Sequence, residues 1–141
     1  MFENRDEETN VILSGLFMTI GITPLFEGFR YIKDAVKRYK EYKGMMGALC
    51  ESIAQRYGTV RGRVERDIRF AIQCAHIKGS LTNLNEVLDI NYIKENECVS
   101  NKALVSLIAE YVDNEHFRYN VICRNVKCLN YLLVQRQKRI V

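Results

Sequence analysis

The sequence predicts an all-α fold, a compact helical domain that contains a helix-turn-helix at about residues 47–78. Apolar residues recur at helical spacing through most of the 141 residues, which include a single proline. Two consecutive segments of this kind are separated by Gly58, and glycine is the residue type that a tight turn between helices favours. With 48% hydrophobic residues, the chain is also able to bury a sizeable core.

Two helices are predicted in the N-terminal third of the chain. The first covers residues 9–20, with Thr9 as its N-cap. The second covers residues 24–42, with Thr23 as its N-cap and proline at the first helical position, where that residue is well tolerated. Because basic side chains surround its apolar stripe, the second helix is predicted to be amphipathic.

The helix-turn-helix follows, with helices predicted at residues 47–57 and 59–78. A small residue, Ala54, stands where the two helices would cross, and Gly58 stands at the turn. Val64 supplies the branched apolar side chain that would point the inner face of the second helix into the core.

Two further helices are predicted before the last segment. The first is short and covers residues 81–88, and the second covers residues 100–113 with Ser100 or Asn101 as its N-cap. The intervening stretch DINYIKENECVSN predicts a loop with an extended piece.

The last segment, residues 115–141, fits neither the helical nor the strand period cleanly. Helix is favoured, while YNVIC and NYLLV are compatible with strands. We therefore expect an acidic N-terminal segment at residues 1–10, a helix-turn-helix domain at residues 11–114 and a basic C-terminal extension at residues 115–141.

Several classes of protein are disfavoured by composition. No apolar run approaches the roughly 20 residues that cross a bilayer, so we expect a cytoplasmic protein with no membrane partner. The five cysteines and two histidines lack zinc-site spacing, and we expect free, mostly buried thiols. Nucleotide-binding and catalytic motifs are missing as well. We expect no enzyme activity, no catalytic residue, no metal and no cofactor.

Charge is distributed in zones along the chain, within a net charge of +4. Residues 28–79 carry a net charge of +7, and residues 115–141 carry a net charge of +5. Residues 1–27 and residues 80–114, which precede them, each carry a net charge of −4. This zoning favours one surface that meets a polyanion. On the second predicted helix, Lys37 and Arg38 are candidates for phosphate contacts that do not depend on base sequence.

The stretch YGTVRGRVERDIRFAIQCAHIKG concentrates four arginines ahead of an apolar run. On a helix at about 100° per residue, Arg66 lies opposite the apolar face, and Arg63 and Arg69 flank it. Arg61 falls within the apolar arc, but in the first turn, where its side chain can point off the helix end. The residues of the predicted core face are Val60, Val64, Ile68, Ala71, Ile72 and Ala75.

Three interpretations of this arginine face remain open on residue types alone. It is a nucleic-acid-binding face, a protein-interaction face, or a solvated face with ion pairs between Arg61 and Glu65 and between Arg63 and Asp67. Because only two acids stand among four arginines, nucleic-acid binding is favoured.

The segment RVERDIRFAIQCAHIKG, preceded by IAQRYGT, resembles the C-terminal DNA-binding domain of the stage 0 sporulation protein A family. IGITPLFEGFRYIKDAV resembles the opening segment of that domain, and SNKALVSLIAEYVD resembles its closing helix. The resemblance covers residues 11–113.

The resemblance implies a sequence-specific transcriptional regulator with a recognition helix in the major groove of duplex DNA, and a link to sporulation control. Arg63, Glu65 and Arg66 would contact base edges, and Arg69 a phosphate or a neighbouring base. Arginine suits guanine O6 and N7, and glutamate can accept from cytosine N4. The candidate DNA-binding residues are Arg61, Gly62, Arg63, Glu65, Arg66, Arg69 and Gln73.

Some positions depart from the family pattern. Gly62, Asp67 and Phe70 stand where the family usually has serine, alanine and histidine, and His76 replaces a tryptophan beside the region that contacts the polymerase sigma factor in the family. Sigma factor is a candidate partner because of the resemblance to the family, and His76 is a departure at that region. The alternative function is a protein-interaction module of the same fold that binds or titrates a transcription component.

Family members also carry a phosphoacceptor receiver domain ahead of the DNA-binding domain. The ten residues before the region of resemblance are too few to form one, so we expect that aspartyl phosphorylation of this chain does not control it. Residues 115–141, which the family lacks, are the expected site of homodimerisation or of additional phosphate contacts.

Overall fold

The computed structural model describes the backbone of residues 4–124 and the side chains of residues 4–119. Every regular element in this part of the chain is helical, which confirms the predicted all-α fold. A 3-10 helix, Tyr39–Tyr42, follows the second α-helix. The α-helices are α1 (Arg5–Thr19), α2 (Gly28–Arg38), α3 (Met46–Arg56), α4 (Arg61–Ile77), α5 (Asn83–Leu88), α6 (Asn101–Tyr111) and α7 (Glu115–Arg124).

Helix α2 packs against α1, α3, α4 and α6, and α4 is one of its two largest neighbours in the core. The packing of α4 sets which of its faces is exposed. The main neighbours of α4 are α2 and α3, and it also contacts α6. Apolar side chains from α1 to α6 form one continuous core, and Phe117 of α7 adds to its edge. Burial of these side chains is the main source of stability, because each large apolar side chain contributes about 1.5–3 kcal/mol when removed from water.

Helix α1 begins four residues earlier than the sequence predicts. Asn4 is its N-cap, and the Asn4 Oδ1 accepts a hydrogen bond from the Glu7 amide at 2.8 Å. Thr9, the predicted cap, lies inside the helix, and its hydroxyl donates to the Arg5 carbonyl. The first turn carries Asp6, Glu7 and Glu8, whose charges complement the positive end of the helix dipole.

Helix α2 begins at Gly28, so the predicted start at Thr23 and Pro24 is wrong. Residues 23–27 form turns instead, in which the Phe26 amide donates to the Thr23 carbonyl at 3.1 Å. Glycine at position 28 is required by packing: a Cβ there would lie 2.4 Å from the Asp67 carbonyl oxygen. The close approach of α2 to the α4 backbone therefore depends on this residue.

The connection between α5 and α6 is a loop held by one asparagine, and the predicted extended piece is not seen as a strand in residues 89–99. The Asn85 amide group donates to the Ile93 carbonyl at 2.8 Å, and its Oδ1 accepts from the Ile93 and Tyr92 amides. Ser100 is the N-cap of α6, because its hydroxyl accepts a hydrogen bond from the Ala103 amide at 3.1 Å. Ser100 is one of the two predicted caps.

Helix α7 confirms the helix favoured for the start of the last segment, and the strand considered for YNVIC is wrong. Asn114 is the N-cap of α7, because its Oδ1 accepts a hydrogen bond from the Phe117 amide at 2.9 Å. The Phe117 ring packs on Tyr111 of α6, with ring centroids 5.9 Å apart. NYLLV and the rest of residues 125–141 lie outside the described residues.

The described cysteines are less uniformly buried than expected. Cys50 is buried, Cys74 is partly buried and Cys98 is exposed, and all three are free thiols. Among the described residues, no helix combines the length and apolar character that crossing a membrane requires.

Candidate nucleic-acid interface

The turn between α3 and α4 is built as the sequence predicts. Gly58 has a φ of +67°, and the Thr59 amide donates to the Ala54 carbonyl at 2.9 Å, which closes α3 with a Schellman motif. Ala54 and Val64 are fully buried on the two sides of the turn. This geometry directs α4 across α3 and fixes which face of α4 points outward.

The two faces of α4 separate as the helical period predicts. Val64, Ile68, Ala71, Ile72 and Ala75 are buried, whereas 71% of the Arg66 side chain is exposed. Arg63, Arg69 and Gln73 are exposed as well.

Val60 is the exception on the predicted core face. It is exposed because α4 begins at Arg61, two residues later than predicted, so that Val60 precedes the helix and has an extended backbone with φ −113° and ψ 153°. The core face of α4 therefore starts at Val64.

Both of the ion pairs considered for this helix are present, and both are loose. The Arg61 Nε lies 3.6 Å from the Glu65 Oε1, and the Arg63 Nε lies 3.7 Å from the Asp67 Oδ2. An exposed pair spaced four residues apart on a helix, such as Arg61 with Glu65, is worth about 0.3–0.5 kcal/mol. The Asp67 carboxylate is less exposed, but its contact with Arg63 is longer than a hydrogen bond. Because the pairs are this weak, they leave the guanidinium groups available to a stronger anion.

Asp67 has a role in this arrangement that the sequence interpretation missed. Its carboxylate is mostly buried between α2 and α4 and lies 3.9 Å from the Arg66 Nε as well as beside Arg63. Its Oδ2 is buried and accepts no hydrogen bond in the described structure. Asp67 thus places a negative charge directly behind two arginines of the outer face, and both contacts are longer than a hydrogen bond. Arg69, by contrast, has no carboxylate paired with it among the described residues.

A groove of about 660 Å³ runs between α4 and the start of α6. Asn101 joins its two walls by donating from Nδ2 to the Glu65 carbonyl at 2.9 Å. The α6 wall includes Ser100, Asn101 and Lys102. Five of the seven predicted DNA-binding residues line the α4 wall: Gly62, Glu65, Arg66, Arg69 and Gln73.

The other two predicted residues lie away from this groove. The Arg61 side chain extends toward α3, with its Nη1 3.6 Å from the position that a Cβ of Gly47 would occupy. Arg63 lies on the opposite flank of α4, beside Asp67. Arg66 therefore lies at the centre of the exposed face of α4, with the groove along one flank and Arg63 on the other.

Lys102 and Cys50 were not predicted at this surface. Lys102 is exposed at the first turn of α6, and only the folding of a distant helix against α4 brings it to the groove. Cys50 lies at the base of the groove, and burial raises the pKa of its thiol to about 11, with a smaller contribution from the nearby Glu65 charge. No local sequence signal marks either residue.

The basic residues of α2 that were candidates for phosphate contacts are engaged within the protein. The Lys37 Nζ lies 2.9 Å from Asp6 and donates to Asn10 at 3.0 Å. The Arg38 guanidinium donates to the Tyr42 hydroxyl at 3.1 Å and to the Ser52 hydroxyl. These bonds tie α2 to α1 and α3 and make both residues poor candidates for contacts with DNA.

Comparison with protein-family models identifies the relationship. The model described as "Sporulation initiation factor Spo0A C terminal" matches residues 13–112. The chain belongs to this family. The Spo0A C-terminal family consists of DNA-binding effector domains of a sporulation regulator. The match covers the helix-turn-helix, the groove and the arginine surface of α4, and it ends before α7.

Proposed function

We propose that this protein is a sequence-specific transcriptional regulator that inserts α4 into the major groove of a short promoter box. The observation that supports the proposal best is the separation of faces on α4, where a fully buried apolar face lies behind an exposed arginine surface centred on Arg66. A helix presented in this way fits the width of a major groove, and its guanidinium groups match the acceptors of guanine.

The proposed contacts differ along the helix. Arg63, Glu65 and Arg66 contact base edges, because they lie in the first turns, which approach the groove floor most closely in helix-turn-helix proteins. Arg69 lies a turn further along, has no carboxylate partner in the described residues and contacts a phosphate. Arg61, Gly62 and Gln73 complete the surface: Gly62 leaves room for close approach, and the other two supply hydrogen-bond donors.

The proposal assigns residues 11–114 to DNA binding, in the cytoplasm, with sporulation as the regulated process. It assigns contact with the polymerase sigma factor to the surface around His76, which is partly buried at the end of α4. It assigns homodimerisation to the basic extension, residues 115–141. Since Phe117 and Arg118 pack within their own chain, the dimer contacts are expected from the residues that follow them.

The alternative function, a protein-interaction module, is supported by a different observation. Leu25 is 96% exposed and Ile77 is 81% exposed, and Phe70 adds an exposed ring on the same side of α4 as Asp67. Leu25 and Phe70 line one small pocket, and exposed large apolar side chains that lie close together are typical of protein-binding surfaces. A protein that acts through this apolar surface alone would not use the arginine surface of α4, and it would not bind DNA.

Selection of bound sites from a random duplex pool, followed by titration of the selected duplex at several salt concentrations, separates the two functions. A DNA-binding regulator is expected to enrich a defined site and to lose affinity linearly in log salt, with a slope of about −0.9 for each phosphate contacted. Failure to enrich any site, together with negligible DNA affinity at moderate salt, would support the protein-interaction module instead.

A further inference from the structure

Two arginines from different helices converge on one tyrosine ring beside α4. The Arg30 Cζ of α2 lies 4.7 Å from the centroid of the Tyr57 ring, and the Arg56 Cζ of α3 lies 5.8 Å from the same centroid. Arg30 also lies 5.3 Å from the centroid of the Tyr31 ring, which packs edge-on against Tyr57. The aromatic faces orient both guanidinium groups, whose N–H groups lie in the guanidinium planes and can still donate to an anion.

A buried carboxylate holds this cluster in place from below. The Tyr57 hydroxyl donates to the Asp34 Oδ2 at 2.6 Å, and the Arg56 Nη1 lies 3.5 Å from the same oxygen. Burial, and then the hydrogen bond to Asp34, raises the pKa of Tyr57 to about 12, so the hydroxyl remains a donor. The ring that orients the arginines is therefore fixed at both its face and its hydroxyl.

The outward side of the cluster retains positive charge. The Arg30 and Arg56 side chains are 53% and 61% exposed. Arg30 has one loose, exposed acidic partner, Glu27 at 3.4 Å, and the Asp34 carboxylate points inward to Tyr57. Lys37 and Arg38 of the same helix differ, because each makes two bonds within the protein.

The position of the cluster relative to α4 suggests its ligand. Tyr57 caps α3, four residues before α4 begins, and Gly28 at the start of α2 touches the Asp67 backbone. The cluster thus borders the flank of α4 that carries Arg63 and Asp67, whereas the groove with α6 lies along the other flank. A duplex that receives α4 in its major groove presents one sugar-phosphate backbone along each flank.

We infer that Arg30 and Arg56 together bind a phosphate of the DNA backbone on the Asp67 flank of α4. This inference rests on the proposed function, since it concerns the same DNA, but it adds a contact outside the helix-turn-helix recognition surface. Two guanidinium groups on fixed aromatic supports match the oxygens of one phosphodiester, and preorganisation lowers the entropy lost on binding. The contact positions the recognition helix and carries no base preference.

The experiment compares the variants Arg30→Gln, Arg56→Gln and their combination with the original protein, on the selected duplex and on one with an exchanged base pair. Each single variant is expected to weaken binding to both duplexes by the same factor, about tenfold. The combination is expected to reduce the magnitude of the salt slope by about 0.9, for one phosphate lost.

Arg5→Gln is the matched control. Arg5 is 54% exposed and has one acidic partner, Glu115 at 2.9 Å, but it lies at the start of α1. The Arg5→Gln substitution removes the same charge from a different part of the molecule, so the affinity for DNA is expected to change little. Thermal unfolding verifies that each variant is folded. If Arg56→Gln proves unstable, Arg30→Gln alone decides, because Arg30 makes no bond to Asp34 in the described structure.

The outcomes separate this inference from the proposed function. If the unaltered protein binds DNA and Arg30→Gln behaves like Arg5→Gln, the phosphate site is refuted while the DNA-binding function stands. A change of base preference in Arg30→Gln would also refute it, because a phosphate contact is indifferent to sequence. Absence of salt-dependent DNA binding by the unaltered protein would remove the proposed function and the phosphate site together.

Discussion

Arg118 of α7 donates two hydrogen bonds to one carboxylate oxygen of Glu8 in α1, at 2.9 and 3.2 Å, across 110 positions of sequence. The same guanidinium donates to the Thr9 hydroxyl at 3.0 Å and to the Val112 carbonyl at 2.9 Å. Arg118 is 1% exposed, and it lies outside the region matched by the family model, as does Glu8. Residues flanking the family domain therefore join its two ends through an ion pair between a buried arginine and a partly buried glutamate.

Replacing Arg118 with methionine should destabilise the protein by about 2–4 kcal/mol, because Glu8 and the Val112 carbonyl lose a charged donor and the carboxylate stays partly buried. Urea denaturation measures the change. Glu8→Gln and the double variant complete a double-mutant cycle. The sum of the stability losses in the two single variants is expected to exceed the stability loss in the double variant. Additive losses would mean that Arg118 stabilises the protein through packing alone.

Replacing Asp67 with alanine should raise the affinity for every DNA duplex by about fivefold, since it removes a negative charge that lies within ion-pair distance of Arg63 and Arg66. Stability should change by less than about 1 kcal/mol, because the buried Oδ2 accepts no hydrogen bond. Binding curves at fixed salt test the first statement. Asp113→Ala is the control: its partner is Lys40 at 3.6 Å, away from α4, and it should leave affinity unchanged. Equal or weaker binding by Asp67→Ala would show that Asp67 orients the arginines productively.

Cys50 should resist alkylation at pH 8, because the raised pKa leaves its buried thiol protonated well above that pH. Cys98 is exposed and should react faster. Iodoacetamide labelling followed by peptide mass spectrometry measures the two rates, and the same reaction in denaturant gives the unprotected reference. Equal rates in the folded protein would contradict the burial of Cys50 beneath the groove.

The sequence predicted most closely those features that follow from local periodicity. The spacing of apolar residues was sufficient to place Val64 and Ile68 inside and Arg66 outside, because an α-helix has one fixed period. Glycine at position 58 marked the turn for a similarly local reason, the left-handed backbone that it adopts.

Some errors concern helix boundaries set locally, such as the Asn4 cap of α1, and the others arose where distant segments meet. The start of α2 is set by the approach of Gly28 to the α4 backbone, which overrides the local preference of Thr23 and Pro24. Lys102 reaches the groove only through the packing of α6. Likewise, the partners of Arg118 lie at the other end of the chain, so no local pattern identifies it as buried.

Arg66→Ala provides the most direct test of the central claim that the arginine surface of α4 contacts bases. The measurement is the affinity of the original protein and the variant for the selected duplex and for one in which a single G·C pair is exchanged, at two salt concentrations. The variant should lose about 1–3 kcal/mol on the selected duplex and should no longer distinguish the two, because a bidentate arginine contact to guanine is lost. Equal weakening on both duplexes, with the preference intact, would show that Arg66 contacts a phosphate and would contradict the account.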